Sequence, residues 1–123
     1  MYIHNIIVGM GYKTEIIPGI TSYSAAAAAL GVALCEDREA LVIIPAGNNK
    51  APEELLELPG NKVIMKSGEE LARALEKLKE LGYGDKIKVA TRVTMEGQQL
   101  YNSVDDYEKS QEAGYFTVAI VKL

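Results

Sequence analysis

Apolar positions along this chain switch repeatedly between helical spacing and short extended runs. Tyr2, Ile3, Ile6, Ile7 and Met10 recur at helical intervals, and Gly11 is placed to stop the helix they predict. Glu15–Ile17 is a short β-branched run that reads as a strand closed by Pro18-Gly19. Thr21 or Ser22 then caps a predicted helix through Ala25–Ala29, with Gly31 as its stop. Leu41–Ile44 reads as a buried strand, broken by Pro45 and the loop Gly47-Asn48-Asn49. Pro52 suits the first turn of a short helix running to Leu58, because its missing N–H has no partner there in any case.

Lys62–Lys66 is the next predicted strand. Ser67 and Glu70 behind it have capping-box spacing, hydroxyl and carboxylate each meeting an orphan backbone donor. The strongest helical stripe follows: Leu71, Ala74, Leu75, Leu78 and Leu81 share one face, Glu and Lys fill the other, and Gly82 ends it. Lys86–Thr91 and Tyr115–Val121 read as strands, and Asp105–Glu112 as a helix. Such alternation predicts an α/β fold in three layers: about five strands in a mostly parallel or mixed sheet, with helices on both faces. No helix is legible between Val89 and Tyr101, so one neighbour of the last strand is expected to be antiparallel, which favours a mixed sheet.

Composition narrows the class. At 123 residues and 48% hydrophobic, the chain has room for one compact unit. Tryptophan is absent and there is one Phe, so aliphatic side chains and seven Tyr must fill the core. Thirteen basic and seventeen acidic residues are mixed along the chain, for a net charge of −4. No basic block stands out, which argues against a nucleic-acid partner. Apolar runs are too short for a membrane span or a signal sequence, and the lone Cys35 fits a reducing compartment, so a cytoplasmic protein is expected.

Familiar catalytic signatures are missing. The chain has no phosphate loop of Walker spacing, no dinucleotide fingerprint and no paired His/Cys pattern for a metal. His4, the sole histidine, reads as a partly exposed structural residue on the first helix. Cys35 stands beside the acidic Glu36 and Asp37, unlike the electropositive setting of a reactive cysteine, which argues against a nucleophile.

Three segments hold candidate chemistry. Residues Ile17 to Ser24 place hydroxyls and backbone N–H groups at a helix start, which suits an anion; a well-capped strand-turn-helix explains the same residues. Met65 and Lys66 lie where a strand runs into a helix cap, and ligands of open α/β sheets lie beyond such strand ends. Met65 there is either a surface for a flat ring or a core residue beside a solvated lysine. Thr91 to Gln98 crowds polar groups directly after a strand, as a ligand loop or as a solvated one.

Read in order, these segments resemble the tetrapyrrole methylase family, most nearly its precorrin-2 branch, which methylates carbon 20. Glu15-Ile16-Ile17-Pro18-Gly19-Ile20-Thr21-Ser22-Tyr23-Ser24-Ala25 resembles the strand-turn-helix near the junction of that family's two domains. Leu41 to Ala46 is similar to the first strand of its C-terminal domain. Val63 to Lys66 and Ala90 to Gln98 look like its later, cofactor-side segments, and Tyr115 to Val118 is similar to the last strand of this branch.

The resemblance implies methyl transfer from S-adenosylmethionine to a reduced tetrapyrrole in cobalamin biosynthesis. It implies that Met65, Thr94 and Met95 face the adenosine, the last two through their backbone, with Ser22, Pro45 and Ala46 near the cleft. Lys66 and Arg92 are carried as candidates for tetrapyrrole carboxylates, with no catalytic acid or base and no metal. The family's N-terminal domain, with its Gly-Pro-Gly-Asp-Pro cofactor loop, has no counterpart here. Residues 1–31 are therefore expected to be the last helix-strand-helix of that domain, and residues 32–123 the C-terminal domain. Alone, the chain is expected to be inactive or very weak, and its exposed first segment to drive a homodimer or to refold. The alternative reading is an engineered or recombined scaffold of this ancestry without enzymatic function.

Overall fold

The computed structural model describes residues 1–47, 53–66, 70–112 and 114–123. The expected loop residues Asn48 and Asn49, the helix-opening Pro52 and the capping Ser67 lie outside them. Helices are α1 (Tyr2–Gly9), α2 (Ser22–Leu30), α3 (Glu53–Glu57), α4 (Glu70–Glu80) and α5 (Val104–Ser110). Strands are β1 (Leu41–Pro45), β2 (Asn61–Met65), β3 (Ile87–Thr91), β4 (Gln99–Tyr101) and β5 (Thr117–Val121).

The strands form one sheet in the order β1-β2-β5-β3-β4. β1 and β2 are parallel, while β5 runs antiparallel to both β2 and β3, and β4 antiparallel to β3. The sheet is therefore mixed, and the last strand has two antiparallel neighbours rather than the one expected. It is also the central strand, buried from end to end.

Side-chain alternation sends the strands into two cores. On one face Ile44, Ile64, Ile87, Val89, Ala119 and Val121 meet Leu56 of α3, the α4 stripe, and Val104 and Tyr107 of α5. On the other, Val63, Ala90, Val118 and Ile120 meet Ala26, Ala27 and Leu30 of α2. The alanines let α2 lie close against the sheet. Thr21 caps it, its hydroxyl accepting from the Ser24 N–H at 3.3 Å, and Gly31 ends it at φ +65°.

The N-terminal arm departs from expectation. Residues Glu15–Ile17 form no strand, and Ile16 and Ile17 are exposed. A strand needs a neighbour for its N–H and C=O groups, and α2 starts too soon after Pro18 for this run to reach the sheet. α1 buries none of its residues, leaving Tyr2, Ile3, Ile6, Val8 and Met10 in solvent. Its His4 is half-buried, the Nδ1 2.7 Å from the Thr14 hydroxyl.

Two local features bear on stability. Gly60 sits at φ +109°, and a Cβ there would lie 2.7 Å from the Ala40 carbonyl oxygen. The Gly60 carbonyl in turn accepts a 2.8 Å bond from the buried Lys62 ammonium, so the turn has little freedom to shift. Gly60→Ala is expected to destabilise by about 2 kcal/mol or more, read as a lowered urea midpoint.

The second feature is Glu39. Its carboxylate is bonded by the Lys122 ammonium, by Asn61 Nδ2 at 2.8 Å and by the Glu36 N–H at 2.9 Å, which bring its pKa down to about 2, the Lys122 bond contributing most. Asn61 is buried and also holds the Leu34 carbonyl and the Leu123 N–H, so the cluster ties the chain's end to the approach to β1. A carboxyl with a lowered folded pKa adds stability above its unfolded pKa and loses it on acidification. Glu39→Gln should therefore flatten the stability profile between pH 4.5 and about 2, measured by urea unfolding across that range.

Candidate functional site

Strand polarity decides where a ligand can lie. With β1 and β2 parallel and β5 reversed between β2 and β3, the carboxyl ends of β1, β2 and β3 share one rim with the amino end of β5. A cleft of about 500 Å³ opens there. The start of α2 (Ile20, Ser22, Ala25) forms one side, Met65 and Lys66 beyond β2 another, and Val93, Thr94 and Met95 beyond β3 a third. Residues Tyr115 to Val118, leading into β5, complete it. Volume and apolar lining fall in the range of small-molecule sites.

Five residues singled out from sequence meet in this cleft: Ser22, Met65, Lys66, Thr94 and Met95. Pro45, Ala46 and Arg92 do not line it. Ala46 is fully buried, and its N–H donates to the Met65 carbonyl at 2.9 Å, which fixes the end of β2 from behind. Pro45 is in register with Met65 across the parallel pair. Gly47 extends this contact, since a Cβ there would come within 3.0 Å of the Lys66 carbonyl.

The loop after β3 is tightly organised. Arg92 and Thr94 adopt left-handed backbone conformations, at φ +48° and +65°, as does Lys66 after β2, at +57°. For a β-branched threonine this is a strained geometry, and strain of this kind gathers at functional sites. The Thr94 N–H donates to Gln98 Oε1 at 2.8 Å and the Met95 N–H to the Arg92 carbonyl at 2.9 Å. Both donors proposed to meet adenosine are thus engaged within their own loop. Arg92 turns away from the cleft: its guanidinium is ion-paired with Glu112 and donates from Nε to the Gly97 carbonyl at 3.1 Å.

Sequence reasoning missed Tyr115 and Phe116, two exposed aromatics packed edge to face, centroids 5.4 Å apart. The rule used looked only beyond the carboxyl ends of strands. An antiparallel β5 brings its amino end to the same rim, and that reversal is the signal that could have found them. Ala25 and Val118 were hidden by their ordinary core composition.

Among the described residues the lining offers hydroxyls, one ammonium and apolar surface, with no carboxylate or imidazole. Among the described residues no group of three His, Cys, Asp or Glu side chains could hold a metal ion. Nor is any described helix long and apolar enough to cross a membrane. The described lining gives room and surface to orient a ligand and shows no acid–base pair to move protons.

A three-layer domain with an apolar cleft at the shared strand rim is an α/β protein with room there for a small organic ligand. The particular family follows from comparison: residues 1–106 match the tetrapyrrole (corrin/porphyrin) methylases, and the chain belongs to that family. It is 30% identical over 98% of its length to the "probable cobalt-precorrin-2 C(20)-methyltransferase" of Methanocaldococcus jannaschii, spanning 51% of that relative. Cobalt precorrin-4 methyltransferase shares the fold at TM-score 0.76 and 16% identity, over 96% of this chain and 55% of that one. The uroporphyrin-III C-methyltransferase of Thermus thermophilus, solved with S-adenosyl homocysteine, does so at 0.67 and 13%, over 96% and 56%. The chain thus spans about half the length of the relatives it matches.

Proposed function

We propose that this chain forms the C-terminal wall of the S-adenosylmethionine site of a precorrin-2 carbon-20 methyltransferase in cobalamin biosynthesis. The observation that carries this reading is the meeting of Met65, from the end of β2, with Thr94 and Met95, from the loop after β3, in one apolar cleft of about 500 Å³. The cleft fits the cofactor's chemistry: room for a nucleoside, apolar side chains for its ring, and Ser22 and Thr94 for its polar edges.

S-adenosylmethionine would supply an activated methyl group, transferred by in-line displacement from sulfur to carbon. Such a step depends on alignment and needs no proton-transfer residue. Met65, Val93 and Val118 would exclude water from the nucleoside, while Lys66, exposed at the rim, would meet a tetrapyrrole carboxylate. Arg92 is the weaker candidate for that task because Glu112 already neutralises it.

A cleft left open on one side cannot hold three reacting atoms in line. In this reading the 123-residue unit transfers little or no methyl group until a second half closes the site. Residues 1–31 would join it to that half, with 32–123 as the α/β unit, and the exposed apolar residues of α1 would be covered there or by a second copy of this chain.

The test is calorimetric titration with S-adenosyl homocysteine. Dissociation in the micromolar range is expected for the chain as it stands. Ala25→Trp, which fills the cleft from α2, should weaken binding at least tenfold while leaving the melting temperature within a few degrees. No heat at millimolar ligand would sink the proposal.

A further inference from the structure

We infer that Glu112 is a positioning residue for the cleft, locking the 92–98 loop through Arg92 in the shape that presents Val93, Thr94 and Met95 to a ligand. Three donors converge on its carboxylate: the Thr91 hydroxyl at 2.9 Å, the Tyr101 hydroxyl at 2.8 Å and the Arg92 guanidinium. They come from the end of β3, from β4 and from the start of the loop, so one side chain fixes the loop's root against both strands. Burial opposes its charge, but bonds from Tyr101 and Thr91 and the Arg92 cation outweigh that and hold its pKa below the usual carboxylate range.

Arg92 carries the constraint onward. Held at one end by Glu112, it reaches the Gly97 carbonyl with Nε and spans the loop from first residue to sixth. Gly97, at φ +77°, leaves space for that guanidinium, since a Cβ there would stand 3.3 Å from Nε. Between the two anchors the chain passes through Thr94 at φ +65°. A left-handed threonine persists only where its surroundings dictate it. Glu112 and Arg92 lie on the far side of β3's end from the cleft, in a hollow with Thr91, Gly114 and Phe116, and so act on the ligand wall without touching it. The link to ligand affinity rests on the function proposed above; the control of loop shape does not.

Hydrogen exchange on the full chain without ligand, paired with S-adenosyl homocysteine titration, separates the two. Glu112→Gln keeps size and removes charge. It should speed exchange at the Thr94, Met95 and Gln98 amides at least tenfold, leave the Val118–Ile120 amides within twofold, and weaken binding about tenfold. Arg92→Gln should reproduce this and add nothing to Glu112→Gln in the double variant, as expected of residues acting as a unit. Unchanged loop amides, or uniform acceleration through β5, overturns the inference. So does a Glu112→Gln chain that binds as tightly as the parent. If the parent itself fails to bind while the loop amides respond, the lock stands and the cofactor reading falls. Should Glu112→Gln not fold, Arg92→Lys and Tyr101→Phe, each removing one arm of the network, decide on the same amides.

Discussion

A chain ending at Phe116 is expected not to fold. Truncation there removes seven residues, yet they include all of β5, which lies between β2 and β3 at the centre of the sheet. Thr117 to Val121 pair with β3, and Val118 to Val121 pair with β2 as well. Without them the two halves of the sheet have no hydrogen-bonded contact, and the inner edges of β2 and β3 lose their partners. Val118, Ile120 and Val121 are each fully or nearly fully buried, and burying such side chains is worth roughly 1.5–3 kcal/mol apiece. Their combined loss rivals the whole net stability of a small domain, about 5–15 kcal/mol. The Lys122 bond to Glu39 and the Leu123 bond to Asn61 go too. Far-UV circular dichroism should show a largely disordered chain with no cooperative melt. A cooperative transition near that of the full chain would contradict the central placement of β5.

Methyl transfer should rise from background to a measurable rate when the second half is supplied. The chain covers 51% of its archaeal relative, and a polypeptide corresponding to the remainder, added in trans or fused ahead of Met1, is the partner to test. Correct alignment of reactants contributes factors far above a thousandfold, so a cleft with one wall and a closed one should differ by at least about 10³ in turnover. The assay follows the radiolabelled methyl group of S-adenosylmethionine into precorrin-2. Ala25→Trp in the reconstituted pair should abolish the gain, which ties the rate to this cleft. Efficient transfer by the isolated chain, or none by a folded and associated pair, would count against the proposed role.

Parts of this reading were open to inspection in the linear pattern. The α4 stripe from Leu71 to Leu78, the Thr21 cap and the Gly31 stop are local devices, settled by neighbours a few positions away. Met65, Thr94 and Met95 stood out because they follow strands and match a family's segments in order. Three readings meet a setting that no local pattern shows. Glu15–Ile17 has the composition of a strand but pairs with no strand of the sheet. Pro45 and Ala46 follow β1, yet Ala46 turns inward and is covered. Arg92 reads as a free cation until Glu112, twenty residues on, is seen to neutralise it. Each outcome depends on groups remote in sequence.

The sequence alone determined most of the helical and extended stretches, the α/β class, the family, and the short list of residues beyond the strand ends. These rest on spacing, capping and turn chemistry, interactions that reach only a few residues along the chain. Tertiary structure decided that the last strand enters the middle of the sheet in reverse. That reversal brings Tyr115 and Phe116 to the rim, gathers three separate loops around one cleft, and sets Glu112 beneath Arg92. Strand order and direction come from how two buried faces pair and pack across the whole domain, and no local pattern encodes them.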